Sequence, residues 1–175
     1  MFIYSNIIIM SLSIDFHPLL VKWVLWGHLP HDIDWSIKSY NNIITVKYVE
    51  ELITLLHVLP DQLITNCMTF FMKDGILPMW EDPANRQGGC FSYKIPNKHV
   101  CGLWKHLCYA LAGGTLTQDK KFNTSVNGIT ISPKKSFCIV KIWMKSCEHQ
   151  DPSKINPIPN LTQNGCLFKK HQPEF

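Results

Sequence analysis

Residues 70–89 read FFMKDGILPMWEDPANRQGG, and the rest of the chain is organised around them. The apolar run Phe70-Phe71-Met72 reads as a strand that ends at Lys73-Asp74-Gly75, a turn signal. Ile76-Leu77-Pro78-Met79 and Trp80-Glu81-Asp82-Pro83 follow, and the loop closes on Gly88-Gly89. Pro78 and Pro83 fix φ on either side of Trp80-Glu81 and stiffen the backbone there. A large ring followed directly by a carboxylate can hold a planar ligand against the indole while the carboxylate accepts hydrogen bonds from the ligand's edge. Taken alone, the pair better suits a surface loop whose Trp covers a core.

A length of 175 residues suits one domain. With 46% hydrophobic and 17% charged residues, a real core is expected and global disorder is excluded. Six Trp is high for this size, and Trp residues placed in loops suggest ring stacking. The net charge of +4 favours an anionic ligand but falls far short of a duplex-wrapping protein. The seven cysteines include no CxxC pair and no Cys/His spacing suited to zinc, so a reducing, cytoplasmic setting without metal or cofactor is expected. His28, His31, Asp32 and Asp34 could mimic a metal cluster, but no second cluster matches them, and a solvated loop is expected instead. Residues 2–10, FIYSNIIIM, are apolar but too short to span a bilayer, and they lack a basic leader and a cleavage site. Residues 1–15 are therefore expected to form a flexible tail, and 16–175 one domain, with no membrane contact and as a monomer.

Outward from the central loop, residues 20–26 (LVKWVLW) alternate as a first strand, with Trp23 and Trp26 structural. A turn-rich loop, GHLPHDID, follows at 27–34, and Trp35 stands at its end as either the lip of a strand or a stacking platform. Ile43 to Val46 centre a second strand. Residues 48–59 read as a helix with Val49, Leu52, Ile53 and Leu56 on one inward face, ended by Pro60, and 61–66 allow a further helical turn. Strands are expected at 67–72 and 90–95, and a helix at 100–112 with Leu103, Trp104, Leu107 and Leu111 inward. Residues 122–132 and 136–147 read as a strand pair turning at Pro133-Lys134-Lys135, with Phe137, Ile139, Lys141 and Trp143 on one face. The polar, Pro-rich tail leaves room for a short closing strand at Leu167-Phe168. This order predicts an α+β fold, a curved antiparallel sheet with helices on one face.

KDGI-x-PMWED, followed by Gly88-Gly89 and Phe91, resembles the mRNA cap-binding translation initiation factor 4E family. His17-Pro18-Leu19 with Trp23 and Trp26, then Trp35, Trp104 and Trp143 in order, extend the resemblance over about residues 17–147. The resemblance implies helices on the convex face of the sheet and a cap-binding slot on the concave side. It implies that Trp35 and Trp80 sandwich 7-methylguanine, that Glu81 reads the base edge, and that Trp143 meets the methyl group. Capped mRNA is the implied ligand, and translation initiation or its control the implied process, without catalysis.

This chain also departs from the family pattern. Ser132 stands where an Arg is expected and Cys90 where a basic residue is common, so Lys134, Lys135 and Lys141 are the candidates for the phosphates. The scaffold-binding patch maps to His17, Pro18, Val49, Ile53, Lys105 and His106, but Ile53 replaces a Trp, and Lys105 and His106 replace a Leu and a Glu. Ordinary scaffold initiation factor or a divergent equivalent is the implied partner. The family's long third helix has no counterpart beyond a turn near 151–154. A divergent, C-terminally shortened member, a viral homologue included, fits this pattern. A second reading is a degenerate cap fold that serves as a protein-interaction subunit or a translation repressor. A thiol enzyme built on Cys101 or Cys108 with His106 is disfavoured, because helix positions two or five apart face different ways and no orienting acid accompanies them.

Overall fold

Apolar–polar alternation produces one seven-stranded antiparallel sheet in the computed structural model, which describes residues 16–171. The tail expected over 1–15 lies outside the described residues. In chain order the elements are β1 (Pro18–His28), β2 (Tyr40–Tyr48), α1 (Val49–Val58), α2 (Asp61–Asn66), β3 (Met68–Lys73), β4 (Gly89–Pro96), α3 (Asn97–Ala112), α4 (Lys120–Ser125), β5 (Val126–Pro133), β6 (Phe137–Met144) and β7 (Leu167–Lys170). Across the sheet the order is β2-β1-β3-β5-β6-β4-β7. Register slips at Leu25/Trp26 and at Val126/Gly128 are bulges, which bend strands and curve a sheet.

The two faces of the sheet do different work. On one, Val100, Leu103, Trp104, Leu107 and Leu111 form the buried stripe of α3 and join Trp23, Phe71 and Phe91 of the sheet in the main core. Trp23 stacks on Phe71 at 5.0 Å between ring centroids and 9° between planes. Both Trp23 and Trp104 are core residues, as expected. On the other face a small cluster of Phe70, Met72 and Trp143, flanked by Trp26, Tyr40 and Met68, floors a concavity.

Three local expectations change. In α1 the buried stripe is Leu52, Leu55 and Leu56, while Val49 and Ile53 are exposed. The run LITLL carries apolar residues on two sides of the helix, and the side holding Leu55 is the one the sheet covers. Residues 120–125 are the helix α4 rather than the start of a strand, because the Asp119 side chain accepts from Lys121 N and Phe122 N and caps that turn. Phe122 then reaches the core and stacks on Phe91 at 5.8 Å and 11°. The strand expected to run to 147 ends at Met144, after which Lys145 N donates to Ser125 O. Between β6 and β7 the described residues hold one 3-10 turn, Pro152–Lys154, and no long helix.

The Gly88-Gly89 pair is required by close approach. A Cβ on Gly88 would lie 1.8 Å from Met144 O, and one on Gly89 2.5 Å from Lys169 O. Bare glycines therefore let β4 enter between β6 and β7 directly after the central loop.

Candidate functional site

The loop between β1 and β2 mounts Trp35. His31 bends the chain with φ of 72°, and Asp32 Oδ1 accepts from Asp34 N at 2.9 Å. Asp34 in turn accepts from Ser36 N at 2.7 Å and from Ser36 Oγ at 2.9 Å. These bonds hold the Asp34 carboxyl below its ordinary range, the backbone bond from Ser36 contributing most. The residues flanking Trp35 are thus fixed while its ring stays 54% exposed. Behind it lies His28, parallel at 4.3 Å and 5°. The His28 ring nitrogens sit 3.1 Å from Leu29 O and 2.9 Å from Asp34 O. His28 is buried, which corrects the expectation that the His28–Asp34 group is only a solvated loop. Among the described residues no group of three or more His, Cys, Asp and Glu could hold a metal ion.

The loop between β3 and β4 mounts Trp80 and Glu81 from below. Asp82 is buried; its carboxylate accepts from Leu77 N at 2.9 Å and Ala84 N at 2.8 Å. Asn85 is 0% exposed and donates to Leu77 O at 3.0 Å and Met79 O at 2.8 Å. Asn127 of β5 donates to Ala84 O at 2.8 Å and to Asn85 Oδ1 at 2.9 Å. Asp82, Asn85 and Asn127 turn the loop into a rigid bracket; Trp80, 36% exposed, and Glu81 project from it.

The two loops meet over the sheet. Trp35, Trp80, Glu81 and Trp143 line one cleft of about 240 Å³, floored by Tyr40, Met68 and Phe70. Tyr40 packs edge-on against Phe70 at 5.5 Å and against His28 at 5.2 Å, which links the floor to the mount of Trp35. Burial first, and then the Glu81 carboxylate, push the Tyr40 phenol above its ordinary value. Trp143 is buried and tilted on His171 at 4.8 Å and 33°. A cleft with indole faces, one carboxylate and an apolar floor suits a flat ligand with hydrogen-bond donors on its edge.

Residues 18–172 match the family model described as Eukaryotic initiation factor 4E. The chain belongs to the eukaryotic initiation factor 4E family. Eukaryotic translation initiation factor 4E-2 of Schizosaccharomyces pombe is 32% identical over 145 residues, covering 77% of this chain and 56% of that relative. The Saccharomyces cerevisiae factor 4E is 28% identical over 164 residues, covering 86% of this chain and 74% of that relative. The chain thus spans little more than half the length of the fission-yeast family member. A viral member, the factor 4E homolog of Acanthamoeba polyphaga mimivirus, is 41% identical over 61 residues, 35% of this chain and 22% of that relative. The fold is that of Ascaris suum eIF4E-3 solved with m7G cap (TM-score 0.65, 22% identity, 77% of this chain and 76% of that one). It is equally that of a schistosome eIF4E complexed with m7GpppG and 4E-BP (TM-score 0.68, 23% identity, 77% and 75%).

The other residues expected to serve the site lie outside this cleft. Lys134 lines an adjoining cleft that shares Trp35 and Met68 with this one, together with His31 and Ser132. Lys135 is exposed at the turn, and Lys141 is half-buried on the sheet face that carries Trp143. His17 is tied to the start of α1: its N and Nδ1 bond Glu50 at 3.0 and 2.6 Å, and its carbonyl accepts from Val49 N at 2.9 Å. With Pro18, Val49 and Ile53 it forms an exposed junction, while Lys105 and His106 sit on α3, where His106 Nδ1 lies 2.8 Å from Gly102 O. The sequence reading missed His28, Asn85 and Asn127.

Proposed function

We propose that the chain binds the 7-methylguanosine cap of mRNA without catalysis, in translation initiation or its control, by stacking the base between Trp35 and Trp80 and reading its edge through Glu81. One observation carries this reading: Trp35, Trp80, Glu81 and Trp143, drawn from three separate parts of the chain, line a single cleft. Methylation at N7 gives guanine a delocalised positive charge, which an indole face attracts in addition to ordinary stacking. Stacking contributes on the order of 1–3 kcal/mol per base but does not tell one base from another. Guanine's adjacent N1–H and N2–H donors match the two oxygens of Glu81, and charge assistance strengthens both bonds. Adenine lacks that donor pair and would leave the carboxylate unpaired, at a cost of about 1–3 kcal/mol. Trp143, beside the floor, is the contact for the methyl group, and Lys134, Lys135 and Lys141 are the cations we assign to the phosphates.

The fold-mates solved with m7G cap and with m7GpppG support this assignment by analogy. The decisive experiment is retention on immobilised 7-methyl-GTP. Elution by the methylated nucleotide and not by GTP is expected, and failure to be retained refutes the reading.

The exposed junction of His17, Pro18, Val49 and Ile53 is the surface we assign to a scaffold initiation factor or a divergent equivalent. With Ile53 in place of a Trp, and Lys105 and His106 in place of apolar and acidic residues, it lacks the aromatic anchor and negative charge of the family pattern. That favours, as a second reading, a protein that occupies caps without recruiting the ordinary scaffold. Pull-down from lysate scored for scaffold factor separates the two. Residues 16–175 acting as one monomeric, cytoplasmic domain completes the proposal; among the described residues no helix is long and apolar enough to cross a membrane.

A further inference from the structure

Phe16 opens a groove at the outer edge of the sheet. Its ring lies against Tyr48 at 5.2 Å and 50°, and it lines a cavity of about 300 Å³ between β2 and α1. Ile44 forms one wall. The other is a single face of α1, with Glu51, Thr54, Leu55 and Val58 at i, i+3, i+4 and i+7. Phe16, Ile44 and Val58 are exposed, and Ile43 stands exposed beside Ile44. β2 is the outermost strand on this side and, among the described residues, has no neighbour beyond it. It runs for nine residues and carries one charge, Lys47. An open edge of that length with bare isoleucines is one that proteins ordinarily cover.

The groove selects an apolar occupant. Its two carboxylates are engaged within the fold. Glu50 accepts from His17 N at 3.0 Å and pairs with His17 Nδ1 at 2.6 Å, and Glu51 accepts from Lys47 N at 2.7 Å and Tyr48 N at 3.2 Å. Residues 11–16 read SLSIDF, in which Leu12, Ile14 and Phe16 alternate with Ser11, Ser13 and Asp15. That is the period of a strand with one buried side. The run before it, Ile7-Ile8-Ile9, has no such alternation. Pro18 pairs with Tyr48, and His17 O accepts from Val49 N at 2.9 Å, so the chain enters β1 across the first turn of α1, at the mouth of the groove. Alternate side chains of an extended chain are spaced by about 6.8 Å, and the Glu51–Val58 face is about 10.5 Å long. Two apolar side chains beyond Phe16 therefore match it.

We propose that residues 11–15 lie along this groove as an arm of the same chain, with Leu12 and Ile14 continuing the row that Phe16 begins and Ser11, Ser13 and Asp15 turned to solvent. The arm covers Ile44, Leu55 and Val58, and the expected tail shrinks to residues 1–10. An outside apolar segment gains this face only by displacing the arm, which makes the groove a self-closed docking site. It is distinct from the junction of His17, Pro18, Val49 and Ile53, because Val49 and Ile53 stand on the other side of α1. The inference does not depend on cap binding.

The test is methyl NMR on the full chain labelled at Ile, Leu and Val, compared with the double variant Leu12→Ser, Ile14→Ser and with the single variants Val58→Ser and Ile8→Ser. Val58 is exposed, so its replacement leaves the core intact. Expected are nuclear Overhauser cross-peaks from the Leu12 and Ile14 methyls to those of Leu55 and Val58, unchanged on dilution. The double variant shifts the Leu55 and Ile44 methyl resonances, Val58→Ser shifts those of Leu12 and Ile14, and Ile8→Ser shifts neither set. Absence of those cross-peaks, with the Leu55 methyls unmoved in the double variant, leaves the groove open and overturns the proposal. Cross-peaks from Ile7, Ile8 or Ile9 in place of Leu12 and Ile14 overturn it as well. So do cross-peaks that vanish on dilution, since they would come from a second copy of the chain.

Discussion

Asn127 Nδ2 donates to Asn85 Oδ1 at 2.9 Å, tying the start of β5 to the loop that displays Trp80 and Glu81. Asn85 passes that anchorage on through its own bonds to Leu77 O and Met79 O. Replacing Asn85 by Ala removes its bonds to Leu77 O and Met79 O and one of the two that Asn127 Nδ2 makes, in a largely dry setting where each unsatisfied group costs about 1–3 kcal/mol. Asn85→Ala is expected to lower the urea-unfolding free energy by about 2–4 kcal/mol. Asn127→Ala, which leaves the bonds from Asn85 to Leu77 and Met79 in place, is expected to cost less and to weaken 7-methyl-GTP binding through a loosened loop.

His28 supports Trp35 as a backing plate. A stacked aromatic pair contributes about 0.5–1.5 kcal/mol beyond its buried area. His28→Ala should therefore weaken 7-methyl-GTP binding about three- to tenfold in a fluorescence titration. His28→Phe keeps a ring in place and should recover most of that loss. Equal loss in both variants would mean that the bonds to Leu29 O and Asp34 O, rather than the stack, hold the indole.

Gly88 tolerates no side chain. The Cβ of Gly88→Ala would meet Met144 O at 1.8 Å, a clash with backbone that no rotamer relieves. A loss of about 3 kcal/mol or more is expected by chemical denaturation. Gln87→Ala next to it, at an exposed position, should stay within about 0.5 kcal/mol of the unaltered chain.

His171 gives stability a dependence on pH. Burial, then Lys141, hold its imidazole below the ordinary value of 6.5, against an opposing backbone bond at Gly89. A histidine depressed by folding binds protons more readily in the unfolded chain. Its contribution is present above pH 6.5 and is lost as pH falls through the lower folded value. Thermal melts should show Tm falling between about pH 7 and pH 5, and His171→Gln should flatten that fall. A steeper fall in the variant would reverse the sign and refute the assignment.

Most strands and both long helices were legible because burial on one side writes a period into the sequence. Tryptophans in loops, and a carboxylate directly after one of them, were equally plain. What escaped lies in relationships that no local window contains. The helix at Lys120–Ser125 hides in a strand-like pattern because its cap, Asp119, stands outside the apolar run. The buried side of α1 could not be chosen while apolar residues lined two sides. Asn85 and Asn127 read as ordinary loop and strand polar residues until the fold brings them together across 42 positions. Lys169 reads as tail, since only the pairing of β7 with β4 sets it opposite Cys90.

That pairing also makes β7 an outer strand, four residues long and ending in Lys169 and Lys170. A bare strand edge invites a second chain to extend the sheet, and shortness and lysine are the usual deterrents. Replacing both lysines by valine would therefore leave an uncharged margin along which copies of the chain could knit together.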